Sequence, residues 1–218
     1  MLKGFDLDAE PACLSLLVGP NGAGKSSSLK VASGLWKPAS GKVLVDGRDI
    51  TNRPREYRKY VAYLSQSPSF HPRLTVAQVA EFYARVEGRS ANEAEFALEC
   101  FGMDACSGKM TGNLSGGLRQ RLGLAVLSLS KAPVLLLDEP GLSLDPFWRE
   151  RLQEWLREET GAGRTLIVAT HLLAEWESKA DCCFLCDDGR VVGQLNPANL
   201  RQAFPASLDE RERNVANG

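Results

Sequence analysis

Residues 19–26 read Gly-Pro-Asn-Gly-Ala-Gly-Lys-Ser, an unbroken match to the pattern G-x-x-x-x-G-K-[ST]. Three glycines let the backbone curl until its N–H groups converge on an anion. Such a loop needs a buried strand before it and a helix N-terminus after it. Both are legible here. The mostly apolar run Cys13 to Val18 reads as a buried parallel strand. The stretch from Lys25 through Leu35 reads as the helix whose N-terminus faces the phosphates. Lys25 is placed to reach the β- and γ-phosphates, and the Ser26 hydroxyl to ligate Mg²⁺. Gly19, Asn21, Gly22, Ala23, Gly24, Lys25, Ser26 and Ser27 are therefore candidate nucleotide-binding residues. Alone, the loop specifies a nucleoside triphosphate and an α/β core, and nothing narrower.

Residues 114–121 read Leu-Ser-Gly-Gly-Leu-Arg-Gln-Arg. A Ser-Gly-Gly opening a helix makes a second anion-binding N-terminus, with the serine as cap and the glycines admitting a phosphate to the backbone. Leu118, Leu122, Ala125, Val126 and Leu129 then recur at helical spacing. Next comes Val134-Leu135-Leu136-Leu137-Asp138-Glu139-Pro140, a continuous apolar run with Asp138 at its carboxyl end, where α/β sheets hold ligands. Ser143-Leu144-Asp145 follows, and Thr170-His171 closes the apolar strand Thr165 to Ala169. Taken in this order, the motifs resemble those of the ATP-binding cassette (ABC) family, from about Gly4 to Leu200.

The resemblance implies roles for these positions. Asp138 would hold Mg²⁺, and Glu139 would polarise the attacking water as general base. His171 would contact the γ-phosphate. Gln66, closing the strand Tyr60 to Ser65, would sense Mg²⁺ and the water. Ser26, Gln66 and Asp138 are thus the candidate metal set, and Glu139, His171 and Gln66 the candidate catalytic set. Cassettes of this family pair head to tail, so Ser115 and Gly117 would act on nucleotide bound by a second cassette; Gly116 and Asp145 are further candidate nucleotide-binding residues. The implied fold is α/β: a P-loop NTPase core with a mainly parallel sheet, a small antiparallel β-subdomain and an inserted helical subdomain. Residues 1–66 and 112–205 would form the core, 67–111 the helical subdomain and 206–218 a polar tail.

Two departures accompany the likeness. Gly-Leu-Ser-Leu-Asp stands where relatives commonly carry Thr-Ala-Gly-Leu-Asp, at the same length. Only 18 residues precede Gly19, so the strand and adenine-stacking aromatic of relatives would fall before Met1. The expectation is a chain that starts late or one that forgoes the stack, with Phe5 as candidate substitute. Losing one stack costs on the order of 1 kcal/mol, about tenfold in affinity or less. A missing edge strand would also thin the small antiparallel sheet.

Composition bounds the partners. A chain of 218 residues is one domain with room for a sizeable core. A net charge of −1 gives no basic footprint and argues against nucleic acid. The apolar runs are far too short to span a membrane. Asp6, Asp8 and Glu10 stand where a signal peptide tolerates no acids. Six cysteines include Cys183-x-x-Cys186, which falls in a strand before an Asp-Gly turn. Positions i and i+3 of a strand point to opposite faces, so these read as small buried hydrophobes in a reducing compartment.

Along the chain, Val43 to Val45 with Asp46-Gly47 reads as a hairpin. Thr75-x-x-Gln78 and Ser90-x-x-Glu93 are capping boxes. The first opens a helix with Val76, Val79, Ala80 and Tyr83 inward; the second buries Ala94, Ala97, Leu98 and Phe101 and ends at Gly102. Asp145-Pro146 reads as N-cap and N1 of a helix carrying Phe147, Trp155 and Leu156, and Asn196-Pro197 repeats the device. By resemblance, the two capped helices would receive a membrane partner, with Phe70 to Arg73 at the contact. The whole reads as the ATPase subunit of an export-type membrane transporter. It would bind ATP and Mg²⁺, pair with a second cassette, and sit in the cytoplasm against an integral membrane permease. A soluble non-transport ABC ATPase, or a cassette with little turnover, are the alternatives.

Overall fold

The computed structural model describes residues 2–171, 176 and 179–199. The polar tail read over 206–218, the last core residues 200–205 and the starting Met1 lie outside the described residues. Fourteen elements are labelled in chain order: β1 (Leu14–Val18), α1 (Lys25–Ala32), β2 (Leu44–Val45), β3 (Arg48–Asp49), α2 (Pro54–Tyr60), β4 (Val61–Leu64), α3 (Val76–Val86), α4 (Ala91–Cys100), α5 (Gly116–Ser128), β5 (Val134–Asp138), α6 (Pro146–Gly161), β6 (Thr165–Ala169), β7 (Cys182–Asp187) and β8 (Arg190–Leu195).

Six strands form one sheet in the order β4-β5-β6-β1-β7-β8, all parallel except the last pair. The alternation of strand side chains divides the core between two faces. Leu135 and Leu137 of β5 join Leu16, Leu166 and Cys183 on the face covered by α3–α6. Leu136, Leu17, Ile167, Phe184 and Cys186 lie on the other face against Leu29 of α1. Cys183 and Cys186 therefore sit on opposite faces, as their spacing predicts. All six cysteines are free, and the described residues contain no metal-holding group of His, Cys, Asp and Glu.

Both capping boxes form. The Thr75 hydroxyl accepts from the Gln78 N–H while the Gln78 side chain accepts from the Thr75 N–H, and Ser90 with Glu93 does the same. The small sheet is the hairpin β2–β3 alone, turned by Asp46 and Gly47, both at positive φ. Residues 5–10, ahead of β1, adopt no strand. Phe5, Leu7 and Ala9 pack, partly buried, against the second face of the sheet, with a cavity of about 640 Å³ between them and the hairpin.

Three expectations are corrected. The first helix ends at Ala32 rather than Leu35, because Gly34 takes a left-handed φ of 75° and turns the chain. Tyr83 is exposed and stacks edge-on against Phe82 at 5.3 Å instead of pointing inward; Ala84 occupies the buried position of that turn. The strand read from Tyr60 begins at Val61, since Tyr60 ends α2, a short helix opened by Pro54.

Candidate functional site

Register brings the distant motifs together. Leu64 pairs with Leu137, so β4 and β5 end side by side, with Gln66 in the loop after one and Glu139 directly after the other. Asp138 pairs with Ala169, and Leu17 pairs with Ala169 from the other side. One residue further along, the carboxyl ends of β5, β6 and β1 present Glu139, Thr170 and Val18, with His171 and Gly19 next. This is the edge where parallel α/β sheets bind ligands.

The loop itself is fixed by close approach. A Cβ on Gly19 would stand 2.0 Å from the Cys186 carbonyl oxygen. Gly24 caps α1 from a left-handed φ of 101°, which L side chains rarely adopt. Ala23 is buried, and its carbonyl accepts from the Gly189 N–H of the β7–β8 turn at 3.0 Å. Asn21 and Gly22 are exposed at the tip. By helix geometry, the N–H groups of Lys25, Ser26 and Ser27 have no acceptor in α1, and no acid lies in its first turn. The helix end is thus an anion site. The Lys25 ammonium curls back to donate to the Gly19 and Pro20 carbonyls at 2.7 and 3.1 Å.

Ser26 Oγ donates to Asp138 Oδ1 at 2.8 Å. Two hard oxygen ligands from separate elements therefore meet, a donor set suited to Mg²⁺. Sequence reasoning missed a third partner: the Tyr63 hydroxyl donates to Asp138 Oδ2 at 3.3 Å. Burial, reinforced by the Asp138 carboxylate, pushes the Tyr63 phenol far above its ordinary range, so it remains a donor. Alternation along β4 was the available signal, because Tyr63 and Val61 point to one face and Leu64 to the other.

Glu139 takes a left-handed φ of 49°. Its amide donates to Ala169 O at 2.8 Å, and its carboxylate sits 2.9 Å from His171 Nδ1. Oε2 also accepts from the His171 N–H at 3.4 Å. A buried, non-glycine residue held in that conformation marks a site where strain is retained for a purpose. Gln66 is exposed and makes no side-chain hydrogen bond among the described residues.

The remaining residues gather elsewhere. Ser115 Oγ accepts from the Leu118 N–H at 3.3 Å and starts α5. A Cβ on Gly117 would lie 2.8 Å from the Ser143 carbonyl oxygen, and Gly116 lies beside the Ser143 side chain. Asp145 Oδ1 accepts from the Trp148 N–H at 3.0 Å and starts α6. Ser115, Gly116, Gly117 and Asp145 thus form a second cluster, and no hydrogen bond among the described residues joins their side chains to the phosphate loop.

The profile of the family described as ABC transporter matches residues 2–141. A second profile, AAA domain, putative AbiEii toxin, Type IV TA system, matches residues 112–175. The chain is 33% identical over 211 residues to the Fe(3+) ions import ATP-binding protein FbpC of Brucella abortus, covering 94% of this chain and 59% of that protein. It is 31% identical over 204 residues to the Nod factor export ATP-binding protein I of Burkholderia thailandensis, covering 92% and 67%. Of the human retinal-specific phospholipid-transporting ATPase ABCA4, 32% identical over 199 residues or 89% of this chain, it spans 9%. Among solved structures, an ATP-binding subunit of an ABC transporter superposes with TM-score 0.83 at 28% identity, over 99% of this chain and 92% of that one. The dimeric bacterial ABC transporter cassette MJ0796 does so with TM-score 0.81 at 26% identity, over 90% of each chain.

Proposed function

The chain belongs to the ABC transporter family of ATP-binding proteins, and on that premise we propose that it is the ATP-hydrolysing subunit of a membrane exporter. Relatives named for import and for export are both similar to it; the export reading rests on the run Leu74 to Ala84. The observation that carries hydrolysis is the Ser26–Asp138 contact beside the Glu139–His171 pair, at the ends of adjacent strands.

Incoming ATP offers phosphate oxygens to the N–H groups of residues 21–27. Lys25 exchanges its two carbonyl partners for the β- and γ-phosphates. Ser26 and Asp138 would hold Mg²⁺, which neutralises phosphate charge when bound. Glu139 orients water and takes its proton. His171 holds the Glu139 carboxylate in the aim required and contacts the γ-phosphate. Gln66, exposed in the loop after β4, closes the water site. Ser115, Gly116, Gly117 and Asp145 belong to the nucleotide of a partner cassette, so two MgATP are enclosed between head-to-tail copies, an arrangement supported by the dimeric relative. Differential affinity for the closed pair drives closure, and hydrolysis removes it.

The partner in the membrane is an integral permease subunit, which would keep the chain cytoplasmic and peripheral on the inner face. No helix among the described residues is long and apolar enough to cross a membrane. A groove of about 610 Å³ between β4, α3 and α5, lined by Pro68, Phe70, Tyr83 and Val86, supports docking there. His71, Pro72 and Arg73 are exposed beside it. Glu139→Gln tests the reading: loss of the base should lower steady-state turnover by at least about 10² while ATP binding persists. Turnover that survives the substitution sinks it.

A further inference from the structure

Arg121 lies in the second turn of α5, half-buried. Its Nε donates to Phe101 O at 2.7 Å, and its Nη2 donates to Gly102 O. The guanidinium so closes the end of α4, where a helix leaves carbonyls without partners. Its centre also lies 3.8 Å from the ring centroid of Trp148, in the first turn of α6, well within cation–π range. A Cβ on residue 102 would come within 2.5 Å of Arg121 Nη2 and 2.6 Å of Trp148, so Gly102 is the gap that admits both. The start of α5 meets the loop after β5 as well: Gln120 Nε2 donates to Pro140 O at 3.1 Å, and Gly117 lies against the Ser143 carbonyl. The end of α4 and the start of α6 thus meet on one guanidinium carried by α5.

We propose that Arg121 and Trp148 form a clamp that sets Ser115, Gly116 and Gly117 against the loop 139–145. The surface one chain offers to its partner's nucleotide is then positioned against the loop that follows its own Glu139. Arg121 is a positioning residue. Only an arginine supplies two in-plane donors together with a flat cationic face, so lysine is a poor replacement. The clamp is a property of the monomer; its consequence for assembly rests on the composite site proposed above.

Hydrogen–deuterium exchange of the nucleotide-free protein tests the clamp directly. Arg121→Met and Trp148→Ala should accelerate exchange of the backbone amides at 118–122 and 142–149 by about tenfold or more, with α1 unchanged, and Trp148→Phe should restore protection. In a Glu139→Gln background the same two variants should need about tenfold more MgATP to dimerise. Binding of a fluorescent ATP analogue, at protein concentrations too low for pairing, should stay within about twofold. Unchanged exchange at 118–122, or an equal rise across α1, overturns the clamp. A Glu139→Gln parent that never dimerises overturns the composite site instead, and the exchange result alone then decides the clamp.

Discussion

At the scale of single residues, the site combines strain and close approach. Glu139 holds a left-handed backbone because Ala169 O fixes its amide and His171 fixes its carboxylate. Gly19 tolerates no side chain because the Cys186 carbonyl occupies that space. Cys186 and Cys183 are themselves buried, and burial pushes their thiols up to about 11 and about 12 from the ordinary 9.0. The sign of the resulting pH dependence follows from linkage. A raised folded-state value means the native chain keeps a proton that the unfolded chain releases. That stabilisation is complete below pH 9 and is lost as pH climbs towards 11 and 12. Urea midpoints recorded from neutral pH upward should fall more steeply above pH 9 for the parent than for Cys183→Ala/Cys186→Ala. Parallel curves would refute the thiol contribution. Motif residues such as Lys25, Asp138 and His171 were legible in the sequence because their order is fixed by strand and loop lengths. Tyr63 was not, since nothing local says that its hydroxyl meets Asp138 from the neighbouring strand.

Elements owe their boundaries mainly to caps. Thr75, Ser90, Ser115 and Asp145 each accept from the third residue of the helix that follows. An uncapped helix start leaves amide donors unpaired, which is why these ends could be read directly. Ser90→Ala removes the hydroxyl that accepts from the Glu93 N–H, leaving the backbone half of the box, and should cost about 1 kcal/mol, read as a lower urea midpoint at unchanged slope. A loss below about 0.3 kcal/mol would show that water replaces the cap without penalty. Endings were less legible. The first helix stops at Ala32 because Gly34 turns left-handed beside the ring of Tyr57, which a Cβ there would approach within 2.6 Å. That constraint comes from α2, an element with a weak local signal of its own. Tyr83 escaped for a related reason: helical spacing allows several inward faces, and the neighbours α4 and α5 select Ala84.

At the scale of the whole molecule, the residues proposed to handle nucleotide fall into two groups rather than one. The phosphate loop, Asp138, Glu139 and His171 line one sheet edge, while Ser115, Gly116, Gly117 and Asp145 gather at the starts of α5 and α6. Light scattering of Glu139→Gln should therefore report a monomer without nucleotide and a dimer with MgATP. A monomer under both conditions would overturn the composite site. The sequence by itself determined the phosphate loop, the capped helix starts, the buried strands and the family. Each of these is encoded within a few consecutive residues, by glycine conformation, by side-chain caps or by apolar runs. Only the tertiary structure decided the strand order, the contact of Glu139 with His171, the hydroxyl of Tyr63 on Asp138 and the seat of Arg121 between Gly102 and Trp148. Those pairs are brought together by how whole elements stack, and a local pattern carries no record of which distant element will lie beside it.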